Sequence, residues 1–264
     1  MPLRQHRESL DALYRQYAHA RYIHPDPLEF LYRFDDVADR EIVGLIASSL
    51  AYGRVAQILR SVESALERMD GSPARFLRDT APTKIRSRTR GFVHRFTTDD
   101  DLARLLIGMK TLLKRYGSLN AAFAGKLSPG DVTVLPALAA FARELNDCGG
   151  GERNYLVVSP ADGSACKRMN LYLRWMVRRV DVDLGGWRGV DPSMLVVPLD
   201  THMHRLAMRL GATRRKSGDL RTAMEITSAF ALLAPDDPVR YDFPLTRMGI
   251  YPGAQVPDFL RPRG

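Results

Sequence analysis

Apolar side chains recur at helical spacing through most of the 264-residue chain, and this periodicity limits the possible folds more than any other feature. The apolar residues of the segment 39–50 fall on one face of a helix, and the segments 55–66, 102–113 and 132–145 repeat the pattern. Segments of this kind bury one stripe against neighbouring helices. The sequence therefore predicts an all-α fold of about ten helices.

Signals for helix ends support this prediction. Ser72-Pro73 is typical of an N-cap followed by proline at the first helical position, and Thr98 or Asp99 is a candidate cap for the longest helix. β-Branched runs are only three residues long, at 156–158 and 195–197. Each of these runs predicts an extended linker, with a small sheet edge as the alternative.

The cysteine content excludes several classes of site. Cys148 and Cys166 are the only cysteines, so this chain alone cannot supply a disulfide framework, a four-cysteine zinc site or a four-cysteine iron–sulfur cluster. The start of the sequence lacks the apolar core of a secretory signal, and the longest apolar runs are too short to span a bilayer. We expect a cytoplasmic protein with no membrane partner, no metal and no other cofactor.

The chain has a formal net charge of +9, and the excess is concentrated in three stretches. Net charge alone also fits general surface solubility. Local clustering suits phosphate neutralisation, because each contact with a phosphate releases condensed counterions. The clusters therefore favour a nucleic acid as the partner. They comprise Lys84, Arg86, Arg88, Arg90 and Arg95; then Lys167, Arg168, Arg174, Arg178 and Arg179; then Arg205, Arg209, Arg214, Arg215, Lys216 and Arg221.

Two residues stand out as candidates for chemistry. Asp162-Gly163 predicts a turn, and Ser164 is a candidate cap for the helix that follows, which places Lys167 in its first turn. The positive end of a helix disfavours an ammonium group, and a lysine acts as a nucleophile in its uncharged form. Asp200 precedes another periodic helix and is a natural N-cap. On spacing alone, capping by Asp200 and a solvated or phosphate-contacting Lys167 are the simpler interpretations.

The order of these segments resembles the helix–hairpin–helix DNA glycosylase superfamily, which includes endonuclease III and the archaeal 8-oxoguanine DNA glycosylase. The resemblance lies in Asp200-Thr201-His202, Arg205 and Arg209-Leu210-Gly211, and it is strong only within residues 160–211, with a looser similarity in 39–66.

Nearly the whole chain also resembles a bacterial family of conserved proteins without assigned function. The segments that carry this resemblance are Leu50-Ala51-Tyr52-Gly53-Arg54, Cys166-Lys167-Arg168, Leu173-Arg174-Trp175-Met176-Val177-Arg178, Pro198-Leu199-Asp200-Thr201-His202 and Asp237-Pro238-Val239-Arg240-Tyr241-Asp242-Phe243.

The superfamily resemblance implies a fold of two helical lobes with a cleft between them. Residues 30–190 would form a helical barrel lobe with a hairpin-like element. Residues 1–29 and 191–264 would form the second lobe, because the N-terminal helix joins the C-terminal lobe in this superfamily. Such a protein would act as a monomer on double-stranded DNA that contains a damaged base, in association with the nucleoid.

The resemblance also implies an activity, the removal of a damaged, for example oxidised, base during base-excision repair. In members that also cleave the strand, a lysine attacks the anomeric carbon, expels the base and forms a Schiff base that permits β-elimination. Lys167 would be this nucleophile, and Asp200 would activate it and stabilise positive charge on the sugar. The DNA-binding residues would be Tyr52, Arg54, Ser164, Arg168, Arg174, His202 and Arg205.

This sequence departs from the pattern of endonuclease III in several places. The segment 159–164 replaces its Leu-Pro-Gly-Val-Gly hairpin, so the hairpin here is unusual or absent. Where many relatives have a glutamine loop that wedges into the duplex, this chain has Ala51-Tyr52-Gly53-Arg54. Tyr52 or Arg54 could fill the position vacated by an extruded base, and a core tyrosine is the alternative for Tyr52.

The remaining candidates have simpler explanations. His202 and His204 point to different helix faces, which argues against a shared metal and favours phosphate contact or support of Asp200 by His202. Trp175 is expected in the core, with base stacking as the alternative, and Cys166 lacks the surroundings of a reactive thiol. Two other functions fit the sequence: a noncatalytic nucleic-acid binder on the same fold, and a helical adaptor or different hydrolase.

Overall fold

The computed structural model describes residues 2–151 and 153–248, and all regular structure in that part of the chain is helical. The all-α prediction is confirmed. Instead of strands, these residues contain two isolated bridges, between His94 and Thr97 and between Ser164 and Asp219. The described helices are α1 (Arg7–Tyr17), α2 (Val37–Ser49), α3 (Val55–Glu67), α4 (Pro73–Asp79), α5 (Pro82–Thr89), α6 (Asp99–Tyr116), α7 (Leu119–Ala124), α8 (Leu135–Gly149), α9 (Lys167–Val177), α10 (Thr201–Arg209), α11 (Leu220–Ala231) and α12 (Asp242–Met248).

Side-chain caps set the starts of several helices. The hydroxyl of Ser72 accepts from the backbone N–H of Arg75, as its position before proline predicts. Thr98 rather than Asp99 caps α6, and it forms a reciprocal capping box with Asp101. Such caps contribute about 1 kcal/mol each. The runs at 156–158 and 195–197 are linkers without regular structure, as predicted.

Helix α9 packs against α2, and a glycine permits the close approach. A Cβ atom at Gly44 of α2 would lie 3.3 Å from the ring of Tyr172 and 3.4 Å from the sulfur of Met176, both on α9. Trp175 of α9 is fully buried, so the core interpretation of this residue is confirmed. The contact holds α9, and with it Lys167, against the helical core.

The chain ends come together on another part of the same core. Helix α1 packs against α12, and α12 packs against α10. A continuous hydrophobic cluster includes residues from Leu3 to Met248. The division into a lobe 30–190 and a lobe formed by 1–29 and 191–264 stays a prediction, and residues 249–264 of the second lobe lie outside the described part. No helix of the described chain is both long and apolar enough to cross a membrane.

A buried network of ion pairs connects α9 to the segment around α12. Arg174 of α9 pairs with Asp183 at 3.3 Å and with Asp242 at the start of α12. Arg178 pairs with Asp183 and makes two hydrogen bonds, of 2.9 and 2.8 Å, to the carboxylate of Asp237. Both arginines are 3% exposed. The position of α9 relative to α12 therefore depends on charges that have lost their hydration.

Replacing Asp183 by alanine is expected to lower the free energy of unfolding by about 3–5 kcal/mol, because two buried guanidinium groups lose a shared carboxylate. Urea denaturation measures this change. Asp181→Ala is the matched control, since Asp181 lies two residues away, is largely exposed and pairs with His19. Its removal should cost less than about 1 kcal/mol. Equal effects of the two substitutions would contradict a structural role for the network.

Candidate active site

Lys167 and Asp200 meet where two helices begin. Lys167 is the first residue of α9 and Asp200 is the N-cap of α10. The Nζ atom of Lys167 lies 3.1 Å from Oδ2 of Asp200, and each side chain keeps about a third of its surface exposed. The structure therefore brings together the two residues that sequence reasoning paired, although 33 positions separate them. The amine and the carboxylate are in contact and open to solvent.

The segment before Lys167 is a compact turn. Residues Pro160–Asp162 form one turn of 3-10 helix that ends at Gly163 in the left-handed conformation. The hydroxyl of Ser164 accepts from the N–H of Cys166 at 3.2 Å, so Ser164 is not the helix cap that the sequence suggests. Cys166 occupies the N-cap position with a backbone φ of +48°, an angle that residues other than glycine rarely adopt. Such a conformation persists only where surrounding packing enforces it.

Asp200 uses its two oxygens differently. Its Oδ1 accepts from the backbone N–H groups of His202 and Met203 at 2.9 and 2.8 Å, and its Oδ2 faces Lys167. Burial raises the pKa of Asp200, but the Lys167 ammonium and the two N–H groups outweigh it and hold the pKa below its ordinary value. The predicted N-cap is confirmed, and the side chain is a carboxylate at neutral pH.

The pair lies in a wide cavity, which we call the outer cleft. Its volume is about 860 Å³. The turn before α9 and the start of α10 form one part of its lining, and the loop before α11 forms another. The lining residues include Tyr52, Tyr155, Ser164, Lys167, Arg168, Asp200, Thr201, His204, Lys216 and Asp219. A cavity of this size, lined by polar and aromatic groups, is suited to bind part of a larger polar molecule.

A second cavity, the inner pocket, adjoins the outer cleft. Its volume is about 290 Å³, and Ala51, Lys167 and Asp200 line both cavities. The remaining lining combines apolar side chains with a buried ion pair, Arg174–Asp242, and a partly buried one, Arg247–Asp26. The apolar lining residues are Pro25, Pro27, Val55, Ile58, Leu171, Pro198, Met203 and Phe243. Lys167 and Asp200 therefore lie at the junction of a broad cleft and a smaller pocket.

The inner pocket contains a carboxyl group with an altered acidity. Burial raises the pKa of Asp242 to about 6, although the neighbouring guanidinium of Arg174 opposes the shift. Proximity to the carboxylate of Asp200 raises it further. Sequence reasoning missed Asp242, because nothing in its local sequence indicates that it will be buried beside Arg174.

Arg174 does not lie on a surface that a DNA backbone could contact, and its predicted contact with DNA stays a prediction. Its side chain is 3% exposed and its guanidinium pairs with Asp183 and Asp242. Arg178 of the same basic stretch is equally buried. The charge of this stretch is largely neutralised inside the protein, so the stretch is not the surface patch that clustering suggests. Arg174 instead lines the inner pocket.

The side chain of Tyr52 forms part of the wall of the outer cleft and is held there by several contacts. Its hydroxyl donates to the carbonyl of His94 at 2.8 Å and lies 2.6 Å from the hydroxyl of Thr97. The guanidinium of Arg168 lies 5.0 Å from the ring of Tyr52. These contacts hold the ring in the wall of the cleft, and the role of Tyr52 in filling the position of an extruded base stays a prediction. Arg54 lies on the surface at the start of α3 and keeps its predicted availability for DNA.

Arg168 lines the outer cleft, and part of its binding capacity serves the fold. Its guanidinium donates to the carbonyls of Ser49 at 2.8 Å and Tyr155 at 2.6 Å. It also lies close to two aromatic rings, those of Tyr52 and Tyr155. Burial lowers the pKa of Arg168, although Tyr155 and Tyr52 oppose the shift, and the side chain stays a cation. Arg168 therefore joins the wall of the cleft to the start of α9.

The two histidines of α10 have different surroundings, and His204 rather than His202 lines the outer cleft. His202 supports Asp200 through its backbone N–H, whereas its Nε2 atom is buried without a hydrogen-bond partner among the described residues. His204 lines the outer cleft, and its Nε2 lies 2.8 Å from the carbonyl of Arg215. Arg205 is exposed on α10, as predicted for a DNA-binding residue.

Lys216 is the second lysine of the outer cleft, and sequence reasoning did not assign it to the site. It is exposed on the loop between α10 and α11. Its place in the third basic stretch was the signal that could have found it. Within the described residues, no group of three or more His, Cys, Asp or Glu side chains is placed to hold a metal ion.

Cys166 is expected to be unreactive in the folded protein. Burial raises its pKa to about 11, so the thiolate is scarce at pH 7. Iodoacetamide should leave Cys166 unmodified in the native protein and alkylate it after unfolding in urea, as read by peptide mass spectrometry. Alkylation of the native protein at the rate of a free cysteine would contradict this burial and would reopen a nucleophilic role for Cys166.

The chain belongs to the family described as Protein of unknown function (DUF2400), whose match covers residues 26–251. The match includes Lys167, Asp200 and all the other residues that line the two cavities, except Pro25. No curated protein and no solved structure matches the chain. The family description names no activity, and the geometry of the site is therefore the basis for a functional conclusion.

Proposed function

We propose that this protein is a DNA glycosylase that removes a damaged base and cleaves the resulting abasic site through a Schiff base on Lys167. The observation that carries the proposal is the contact between Lys167 and Asp200 at the entrance of the inner pocket. An amine and a carboxylate that are in contact beside a small pocket are the groups that this reaction requires.

The chemistry follows from the two side chains. The uncharged amine of Lys167 attacks C1′ of an extruded nucleotide, and Asp200 accepts the proton that the nitrogen loses as the C–N bond forms. The glycosidic bond breaks, and the base leaves with the bonding electrons and takes up this proton from Asp200. The carboxylate of Asp200 stabilises positive charge that develops on the sugar during this step. Asp200 is well suited to this task because two backbone N–H groups hold its other oxygen in place.

Strand cleavage uses the same amine. The sugar ring opens to give an iminium between Lys167 and C1′, in which the positive nitrogen acidifies the proton on C2′. Loss of this proton and of the 3′ phosphate by β-elimination breaks the strand. Hydrolysis of the imine then releases Lys167. Each step uses a residue that lines both cavities, so the sugar would lie at their junction while the base and the strand occupy different cavities.

The inner pocket is suited to hold the extruded base. A nucleobase has flat apolar faces and a polar edge, and a base must leave the stack before an enzyme can reach its sugar. The pocket offers apolar side chains, among them Leu171, Met203 and Phe243, and buried ion pairs that include Arg174 and Asp242. Arginine donors recognise the carbonyl and ring-nitrogen acceptors of a base edge. An oxidised base with an added carbonyl is one candidate.

The outer cleft is suited to the strand that carries this nucleotide. Lys216 and His204 line it from one side, and Ser164 lines it from the turn before α9. Exposed Arg205 and Arg54, each next in sequence to a lining residue, add positive charge to the surface beside the two cavities. Phosphate groups bind such surfaces through charge and counterion release. These features support double-stranded DNA as the partner.

Borohydride reduction tests the proposal directly. With DNA that contains an abasic site, the wild-type protein should form a covalent adduct, and Lys167→Ala should form none, because reduction traps the imine on that amine. Asp200→Asn keeps an oxygen for the helix cap and should slow adduct formation about 100- to 1,000-fold. Denaturing electrophoresis of labelled DNA measures both effects.

Lys216→Ala is the matched control, since Lys216 is the other lysine of the outer cleft. This variant should bind DNA more weakly but still form the adduct when DNA is saturating. If the wild-type protein binds damaged DNA tightly and forms no adduct with any damaged or abasic substrate, the noncatalytic nucleic-acid binder replaces the glycosylase.

A second experiment separates the inner pocket from the amine. Val55 lines the inner pocket at the start of α3 and is 39% exposed, so Val55→Trp can fill the pocket without overpacking the core. The variant should release a damaged base at least about 10-fold more slowly, because the base can no longer enter. It should still cleave a preformed abasic site, which has no base to accommodate.

Val132→Trp is the control for this experiment, because Val132 is exposed and lines neither cavity. It should leave both reactions unchanged. Equal losses of base release and abasic-site cleavage in Val55→Trp would contradict the inner pocket as the base-binding site.

A further inference from the structure

An exposed aromatic residue projects beside the outer cleft, on a tight turn that we call the rim turn (residues 94–97). Phe96 is 70% exposed, although burial of a phenylalanine side chain stabilises a folded protein. Tyr155, which lines the outer cleft, is 47% exposed and lies 6.2 Å from Phe96 between ring centres. The ring of Tyr52 lies 5.3 Å beyond that of Tyr155. Three rings therefore lead from the protein surface into the cleft.

The rim turn is rigid. The backbone N–H of His94 donates to the carbonyl of Thr97 at 3.0 Å, and the N–H of Thr97 donates back at 2.9 Å. The hydroxyl of Tyr52 binds both ends of the turn, at the His94 carbonyl and the Thr97 hydroxyl. The wall of the outer cleft thereby fixes the backbone of the turn that carries Phe96.

His94 anchors the rim turn in the core. Its side chain is fully buried, and burial lowers the pKa of its imidazole, so the ring is neutral at pH 7. Its Nε2 lies 3.1 Å from the Tyr52 carbonyl, which can only accept, so this nitrogen carries the proton. Its Nδ1 then accepts from the hydroxyl of Ser61 at 2.8 Å. Both ring nitrogens are satisfied, which locks the turn to α3.

Positive charge accompanies the exposed ring. Arg95 adopts a φ of +54°, and its guanidinium lies 5.5 Å from the centre of Phe96 and 5.8 Å from that of Tyr52. Its side chain crosses Gly53, where a Cβ atom would lie 2.8 Å from two Arg95 atoms. Glycine at position 53 is therefore required for this packing. A cation held beside exposed rings suits a ligand that combines flat bases with phosphates.

We infer that Phe96 and Tyr155 form a stacking site for a nucleobase left without its partner when a nucleotide of duplex DNA enters the outer cleft. The inference rests on the proposed function for the orientation of the DNA. Its basis is the exposed ring of Phe96 on a fixed turn, the continuity of the three rings with the outer cleft, and the adjacent charge of Arg95.

Binding to an abasic analogue tests this inference without any covalent chemistry. The probe is a labelled duplex with one tetrahydrofuran residue, which has no aldehyde and cannot form a Schiff base. Phe96→Ala should weaken binding to this duplex about 10-fold or more and leave binding to intact duplex nearly unchanged. Phe96→Trp should retain the preference, because it restores a stacking surface. Fluorescence anisotropy measures the affinities.

A spectroscopic readout reports stacking itself. With 2-aminopurine opposite the tetrahydrofuran residue, the wild-type protein and Phe96→Trp should change the emission of this base on binding, and Phe96→Ala should not. Leu232→Ala is the matched control, since Leu232 is an exposed apolar residue that lines neither cavity. It should behave as wild type in both measurements. Because Phe96 is exposed, its replacement should leave the melting temperature unchanged.

The outcomes separate this inference from the proposed function. If Phe96→Ala loses the preference for the abasic analogue while the wild-type protein forms no borohydride adduct, the stacking site stands and the glycosylase does not. If the adduct forms and Phe96→Ala binds both duplexes as wild type does, the stacking site is wrong and the glycosylase stands. A change in self-association on sedimentation, with unchanged DNA binding, would also overturn the stacking site.

Discussion

The buried ion-pair network between α9 and the segment around α12 is the interaction on which the rest of the structure depends. Arg174 and Arg178 leave α9 on the side that meets Asp183, Asp237 and Asp242, and α12 in turn packs against α10. Charges buried at this cost keep their geometry, because any displacement leaves a guanidinium without compensation. Since Lys167 begins α9 and Asp200 caps α10, the network also determines the distance between the two candidate catalytic groups.

Residues at the starts of two helices have both a structural and a chemical role in the site. Asp200 is needed to begin α10, and the same requirement fixes one of its oxygens and leaves the other for Lys167. Cys166 takes a left-handed conformation so that α9 begins at Lys167 directly. Structural and chemical roles thus coincide at these positions. A substitution that removes the chemistry therefore has to retain the cap, as asparagine does in place of Asp200.

Several charged and aromatic residues have roles in the structure that differ from those predicted from the sequence. Arginines of a basic cluster, such as Arg174, form buried ion pairs. Lys216 and His204 instead provide polar groups in the outer cleft. Tyr52, the aromatic residue that the motif singles out, is a fixed part of the wall, and Phe96 carries the exposed ring. In both cases the residue type was informative, and its exposure was decided by contacts between segments distant in sequence.

The amino-acid sequence by itself determined the helical class, several helix starts, the linkers, and Lys167 and Asp200 as the residues to examine. These features follow from periodicity and capping, which act over a few neighbouring residues. The tertiary structure alone decided that the lysine and the carboxylate touch, that two cavities meet at them, and which charges and rings face solvent. Burial and ion pairing depend on chain segments far apart, such as α9 and α12, and no local pattern encodes which segments will meet.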